Sequence, residues 1–279
     1  MSKCYTKTYS GYTSKTPDRK QLDAGAVFVN FDPETDTYDS AVAAGKLLCC
    51  TSGGSNFSAV PTLRTSQADG MKGKVKGLVE VESWAISLVV NSLEFSKAVI
   101  EAAVITATTT VTELFEKIQA KNYICDDAFI TNITWVGRIK GSSNPVYIQL
   151  FNALNTAGLA FTAADGADTI VPLTFEGHYD ADTIDTPPYL IWLPKEEGSI
   201  SGAVLLATVA QAGATVTVTL DGQIFTTTTL ADGTFVLYVP YGTGYTVDAE
   251  LGTAVGSETL VDVVAFADTA VGGITIVIP

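Results

Sequence analysis

Strict alternation of apolar and polar side chains runs through several stretches of this 279-residue chain and predicts strands with one buried and one wet face. In residues 127–141, Phe129, Ile133, Trp135 and Ile139 share one parity, and Asn132, Thr134, Arg138 and Lys140 share the other. In residues 168–180, Val171, Leu173, Phe175 and Tyr179 oppose Thr174, Glu176 and His178. Residues 24–31 and 144–154 complete this set of strands. Asn132, Thr134, Arg138, Gln149, Thr174 and Glu176 are expected on one polar face, with Arg138 and Glu176 neutralising one another across adjacent strands.

The stretch 74–90 changes phase. Up to Val81 the odd positions Val75, Val79 and Val81 are apolar, with Glu80 and Glu82 polar; from Trp84 the even positions Trp84, Ile86, Leu88 and Val90 are apolar, with Ser83 and Ser87 polar. One extra residue near Ser83 produces such a switch, which means a β-bulge or a sharp bend. So long a strand exceeds one small sandwich. Part of it, carrying Val75, Val79, Val81 and Ser83, is expected to leave the body and meet a neighbouring subunit.

Helical spacing is rarer. Residues 92–103 predict a helix with Ser92 as N-cap and Leu93, Val99, Ile100 and Ala103 towards the sheets. Residues 110–120 carry a Thr110…Glu113 capping box, which favours a second helix, but Thr and Val at the start favour extended structure too.

Composition changes at Lys195. Beyond it there is no Lys or Arg, and Asp221, Asp232, Asp248, Glu250, Glu258, Asp262 and Asp268 supply half of the net charge of −14. The segment LPKEEG has the Pro, charge and Gly content of an exposed linker, so the chain is divided into residues 1–197, with 1–20 as an N-terminal arm, and residues 198–279. In the second part, Val216, Val218 and Leu220 alternate with Thr215, Thr217 and Thr219, and Asp221-Gly222 and Asp232-Gly233 are hairpin turn signals. Roughly seven short strands in about 80 residues fit a small β-sandwich.

The balance of 47% hydrophobic and 16% charged residues belongs to a folded protein. Its negative charge opposes any electrostatic grip on phosphate backbones or anionic membranes. Cys4, Cys49, Cys50 and Cys125 match neither a zinc spacing nor a disulfide scaffold and are expected as reduced thiols. Neither a signal peptide nor a membrane span is expected.

Candidate chemistry is sparse. His178, the single histidine, precedes Asp180, Asp182 and Asp185, a possible His-x-Asp-x-Asp metal pattern, but nothing completes a zinc site, and a solvated loop turned outward by Pro187 and Pro188 is the simpler reading. No nucleophile elbow, phosphate loop or dinucleotide fingerprint is present. Glu80 and Glu82 share a face with Lys76, so ion pairs account for them more simply than acid/base work. The basic run MKGKVKG at 71–77 is expected to pair with an acidic neighbouring subunit. No enzyme activity, cofactor or metal is expected.

Two resemblances add to this. The segment ADGTFVLYVPYGTGYTV resembles carboxypeptidase-regulatory-like or CnaB-like immunoglobulin-type modules; some of these carry a Lys–Asn cross-link, which the absence of lysine here excludes. DAGAVFVNFDPETDTYDSA, GMKGKVKGLVEVESWAISLVVNSLEF, ICDDAFITNITWVGRIKGSSNPVYIQLFNALNTAGLAF and PLTFEGHYDADTIDTPPYLIWLP together resemble the major tail (tail tube) proteins of tailed phages of Gram-positive hosts, over about residues 20–194. The resemblance implies a mainly β fold: a tail-tube β-sandwich with a flanking helix and long strands, followed by an Ig-like β-sandwich. It further implies rings of six subunits stacked into a hollow tube in the virion tail, assembled in the host cytoplasm. Expected partners are further copies of the chain, the tape measure, terminator and distal tail proteins, and double-stranded DNA passing without specific binding. The Ig-like module is expected on the tail exterior, free for weak host-surface contact. Within this picture the polar face carrying Asn132, Thr134, Arg138, Gln149, Thr174 and Glu176 is expected to line the lumen, the outer surface being the rival placement. A bacterial adhesin or pilus-like subunit shares the strands and the module, but would be expected to carry an export signal or wall anchor. A carbohydrate-active enzyme would need a separated carboxylate pair in a cleft.

Overall fold

In the computed structural model, residues 11–13, 15–264 and 268–277 are described. The chain forms two compact units. One comprises Leu22–Arg138 and Pro145–Leu193; the other gathers the described parts of Met1–Gln21, Ile139–Asn144 and Pro194–Pro279.

The first unit contains β1 (Gln21–Val29), α1 (Tyr38–Ala43), β2 (Leu47–Cys49), β3 (Thr51–Thr65), β4 (Val79–Ser92), α2 (Lys97–Ala103), β5 (Ala107–Val111), β6 (Glu116–Ala120), β7 (Ile130–Ile139), β8 (Pro145–Asn155), β9 (Val171–Gly177) and β10 (Tyr189–Trp192). Eight of these strands share one sheet in the order β2-β1-β7-β8-β9-β4-β3, with β10 also on β8. Strand β8 pairs with β10 over residues 147–150 and with β9 over residues 153–155, so the sheet divides at this edge. The two halves close on one core. Ile86, Leu88, Val90, Leu173 and Phe175 from one side meet Val27, Ile133 and Leu150 from the other, with Val99 and Ala103 of α2 among them. Tyr189 of β10 stacks at 5.8 Å from both Phe57 and Trp84, fastening the split edge to the opposite strands. The mainly β class expected from the alternation is what forms.

One local expectation is corrected and one open alternative is decided. The helix starts at Lys97, not at residue 92, because β4 continues through Ser92 and pairs it with Thr51 and Val171. Ser96 is the N-cap, accepting from the Val99 amide; Val99 and Ala103 are buried as expected, whereas Leu93 is exposed. Residues 110–120 are not helical. They lie in the hairpin β5–β6, where Thr110 pairs with Lys117, and the Thr112 hydroxyl caps the turn by donating to the Phe115 carbonyl and accepting from its amide. The β-branched run 108–112 overrides the capping-box pattern.

The second unit carries β11 (Glu197–Leu206), β12 (Val209–Ala210), β13 (Thr215–Leu220), β14 (Gln223–Thr228), β15 (Thr234–Pro240), β16 (Gly242–Leu251), β17 (Ala254–Val263) and β18 (Asp268–Ile276). Strand β11 is flanked by β12 and β15 on one side and β18 on the other; the second sheet runs β14-β13-β16-β17. Val216, Val218, Phe235, Val247 and Ile274 fill the space between them. Asp221 and Gly222 both adopt positive φ (49° and 81°), the conformation of a two-residue hairpin turn. The buried Tyr245 donates its hydroxyl to the Pro240 carbonyl at 2.6 Å, the tyrosine-corner contact of Ig-type sandwiches.

The expected exposed linker is partly wrong. Glu196 pairs with Arg19, but Glu197 is buried and opens β11. Its carboxylate accepts hydrogen bonds from the Ser142 and Ser143 hydroxyls, the Ser143 amide and the Asn144 side chain. That many donors is what a buried carboxylate without a cation requires.

Candidate assembly surface

Strands β3 and β4 form a hairpin far longer than the sheet that holds it. They pair from Thr51↔Ser92 to Thr65↔Val79, while β9 supports β4 only from Ser87 to Ser92. The eight residues from Val79 to Ile86 therefore lie beside β3 alone, an overhang of roughly 26 Å at strand rise.

Directly opposed residues of an antiparallel pair share a face. The pairs Phe57↔Leu88, Ala59↔Ile86, Pro61↔Trp84, Leu63↔Val81 and Thr65↔Val79 make one continuous stripe. The register slips between Thr62↔Ser83 and Leu63↔Val81, leaving Glu82 without an opposite residue. This is the bulge that the phase switch foretold, and its effect is specific: by absorbing one residue it keeps Val79 and Val81 on the face that Ile86 and Leu88 present to the core. Burial along that stripe falls away abruptly. Ile86 is 3% exposed, Val81 54% and Leu63 56%. On the other face Arg64 and Glu80 oppose each other and pair at 2.5 Å, the carboxylate holding the guanidinium above its ordinary pKa. The partner of Glu80 is thus Arg64 rather than Lys76. Val75 belongs to the connecting turn and not to the strand; its carbonyl accepts from the Gly77 and Leu78 amides. Lys72, Lys74 and Lys76 are exposed in the same turn.

The polar positions of β7 to β9 do not form one wet face. Thr134 is 0% and Gln149 4% exposed. They oppose each other in the ladder beneath Phe28, Phe31, Ala41 and Val136, a second small core on the reverse side of the sheet. Gln149 donates to the Phe31 carbonyl at 3.1 Å and accepts from the Trp192 indole at 2.7 Å; Asn132 accepts from the Phe31 amide and the Thr134 hydroxyl. Thr134 and Gln149 are thereby satisfied and internal, while Asn132 is half-buried. The two buried groups cannot line a lumen, which corrects that expectation for Thr134 and Gln149. Arg138 and Glu176 are not neighbours either, since β8 lies between their strands. Arg138 pairs with Asp23 at 3.1 Å, and Glu176 accepts from the Thr156 hydroxyl. Thr174 is half-buried, its amide donating to the Asn155 side chain.

His178 places Nδ1 3.1 Å from the Asn152 carbonyl, so that nitrogen carries the proton, and its ring meets Phe129 edge-on at 5.1 Å. Tyr179 is exposed, contrary to its parity, because β9 ends at Gly177. Asp180, Asp182 and Asp185 lie exposed in the following loop, and among the described residues no cluster of His, Cys, Asp and Glu is arranged to hold a metal ion. Cys49 is buried and Cys50 exposed, on opposite sides as extended neighbours must be; burial pushes the Cys49 thiol pKa up. Cys4, and residues 1–10 and 14 of the N-terminal arm, lie outside the described residues. No helix among the described residues is long and apolar enough to cross a membrane.

No family model matches the chain, and no curated protein matches it. Among solved structures, the TIE protein of Bacillus anthracis is similar over 82% of this chain at 12% identity, with a TM-score of 0.24. The chain spans 42% of the length of that protein's chain, and a likeness at this level bears on neither fold nor function.

Proposed function

We propose that the chain is a structural subunit that polymerises, and that its assembly is the phage tail tube its sequence resembles: rings of six, stacked into a hollow conduit. The observation that carries the proposal is the apolar stripe of the β3–β4 overhang. A two-stranded ribbon alone in water is marginal. One that continues a core face outwards with Leu63, Val79 and Val81 uncovered is suited to burial by other copies. The acidic balance supports a wall that DNA traverses without being gripped, since no excess of cations is available to hold phosphate. In this reading the tape measure, terminator and distal tail proteins are the other partners, and the Ig-like module decorates the exterior of the virion tail. Negative-stain microscopy and sedimentation of the purified full chain test it. Rings or tubes of uniform width are expected; monomers at every concentration would overturn the proposal.

A further inference from the structure

A second hairpin in the first unit ends in an apolar knob. Strands β5 and β6 pair only with each other, and their turn exposes Leu114 by 83% and Phe115 by 69%, with Val111 and Glu113 exposed beside them. The hairpin is held at one side by the Lys97–Glu116 ion pair at 2.8 Å and by the Thr109 hydroxyl donating to Glu101, so the knob is presented from a fixed base. At that base lies a groove of about 750 Å³, lined by Val104, Ala120, Tyr123, Ile124 and Leu159. Its apolar side chains Tyr123, Ile124 and Leu159 are themselves exposed. The Lys121 ammonium stands 5.9 Å from the Tyr123 ring centroid at the groove.

We propose that the 112–115 turn of one copy seats in this groove of a second copy, with Phe115 and Leu114 against Tyr123, Ile124 and Leu159, and Glu113 facing Lys121. Knob and groove match in two independent ways, apolar surface to apolar surface and a carboxylate to an ammonium. The knob cannot fill its own groove. Five paired residues carry it roughly 17 Å away along a straight ribbon. A contact made by two different patches is heterologous, so each copy offers a knob on one side and a groove on the other, and repetition yields a closed ring or an open filament. The inference rests on the reading of the chain as a self-assembling subunit and deepens it by naming one of the contacts.

Cross-linking tests it in the full chain with its four native cysteines replaced. One preparation carries Leu114→Cys and another Leu159→Cys. Mixed and oxidised, they are expected to give covalent dimers at least about tenfold more abundant than either preparation alone gives, because only the mixture places the two thiols together within disulfide reach. No dimer in an assembled mixture, or equal yields without mixing, would overturn the contact. Glu113→Lys and Lys121→Glu should each raise the concentration needed for assembly by about fivefold, and the double variant should restore it. A wild-type chain that never self-associates removes the subunit reading together with this contact. Assembly of Leu114→Asp/Phe115→Asp at the wild-type concentration removes the contact alone.

Discussion

The near and far halves of the β3–β4 hairpin are one ladder, one face and one kind of side chain, yet Ile86 and Leu88 are buried while Leu63 and Val81 are bare. Intrinsic strand preference cannot distinguish them, because Val, Leu and Ile serve on both halves. The difference is the layer opposite. Near the body, β9 flanks β4, and β7, β8 and α2 supply the facing core; beyond Ile86 β9 no longer pairs with β4, while the apolar pattern continues. Among the described residues, the apolar stripe of the far half stays uncovered.

The largest effect should come from charging that bare stripe. Val79→Asp with Val81→Asp is expected to abolish assembly in sedimentation while leaving the melting temperature of the monomer within about 2 °C, since surface changes away from packed groups rarely exceed 0.5 kcal/mol. Unchanged assembly would mean that the far half needs no cover. Inserting one residue between Thr62 and Leu63, opposite Glu82, is subtler. With Glu82 then paired and the bulge gone, Val79 and Val81 turn to the opposite face, and assembly should need at least about tenfold more protein although no apolar residue has been lost. Next, Leu88→Ala should cost about 2–5 kcal/mol in urea unfolding, whereas Val81→Ala in the unassembled chain should cost less than about 0.5 kcal/mol. Equal costs would erase the contrast between the halves. Smallest of all, Arg64→Ala removes an ion pair in which both partners are exposed, and the thermal melt is expected to be superimposable on that of the parent at 150 mM salt.

Much of this was legible in the alternation. The phase switch at Ser83 located the bulge to within a residue, because a period of two leaves no other way to keep a long strand on one face. Strand β3 was not foreseen. It carries Gly53, Gly54 and Pro61, residue types that more often mark loops, but β3 is the outer strand, where a missing amide donor is tolerated and Gly can bulge. The hairpin at 107–120 was equally hidden, since a capping-box pattern and a β-branched run coincide in the same residues and only packing decides between them. Thr134 and Gln149 show the deeper limit. Parity separates the two faces of a strand but says nothing of what covers each, and here the cover is Phe28, Phe31 and Ala41, about a hundred residues earlier in the chain. The local hint was the FVNF pattern at 28–31, whose two phenylalanines cannot both face the main core from an extended strand.

Strand β11 pairs in parallel with β18, Ser199 opposite Asp268, so the strand that opens the Ig-like module is completed by the one that closes it, 69 residues later. Bringing those ends together costs roughly 4 kcal/mol of loop-closure entropy before any packing returns it, which makes this pairing a late event in folding. During synthesis this ladder cannot close until residues 268–276 leave the ribosome. A chain interrupted before Asp268 would present β11 as an open edge along residues 199–206, a template for edge-to-edge aggregation of unfinished chains.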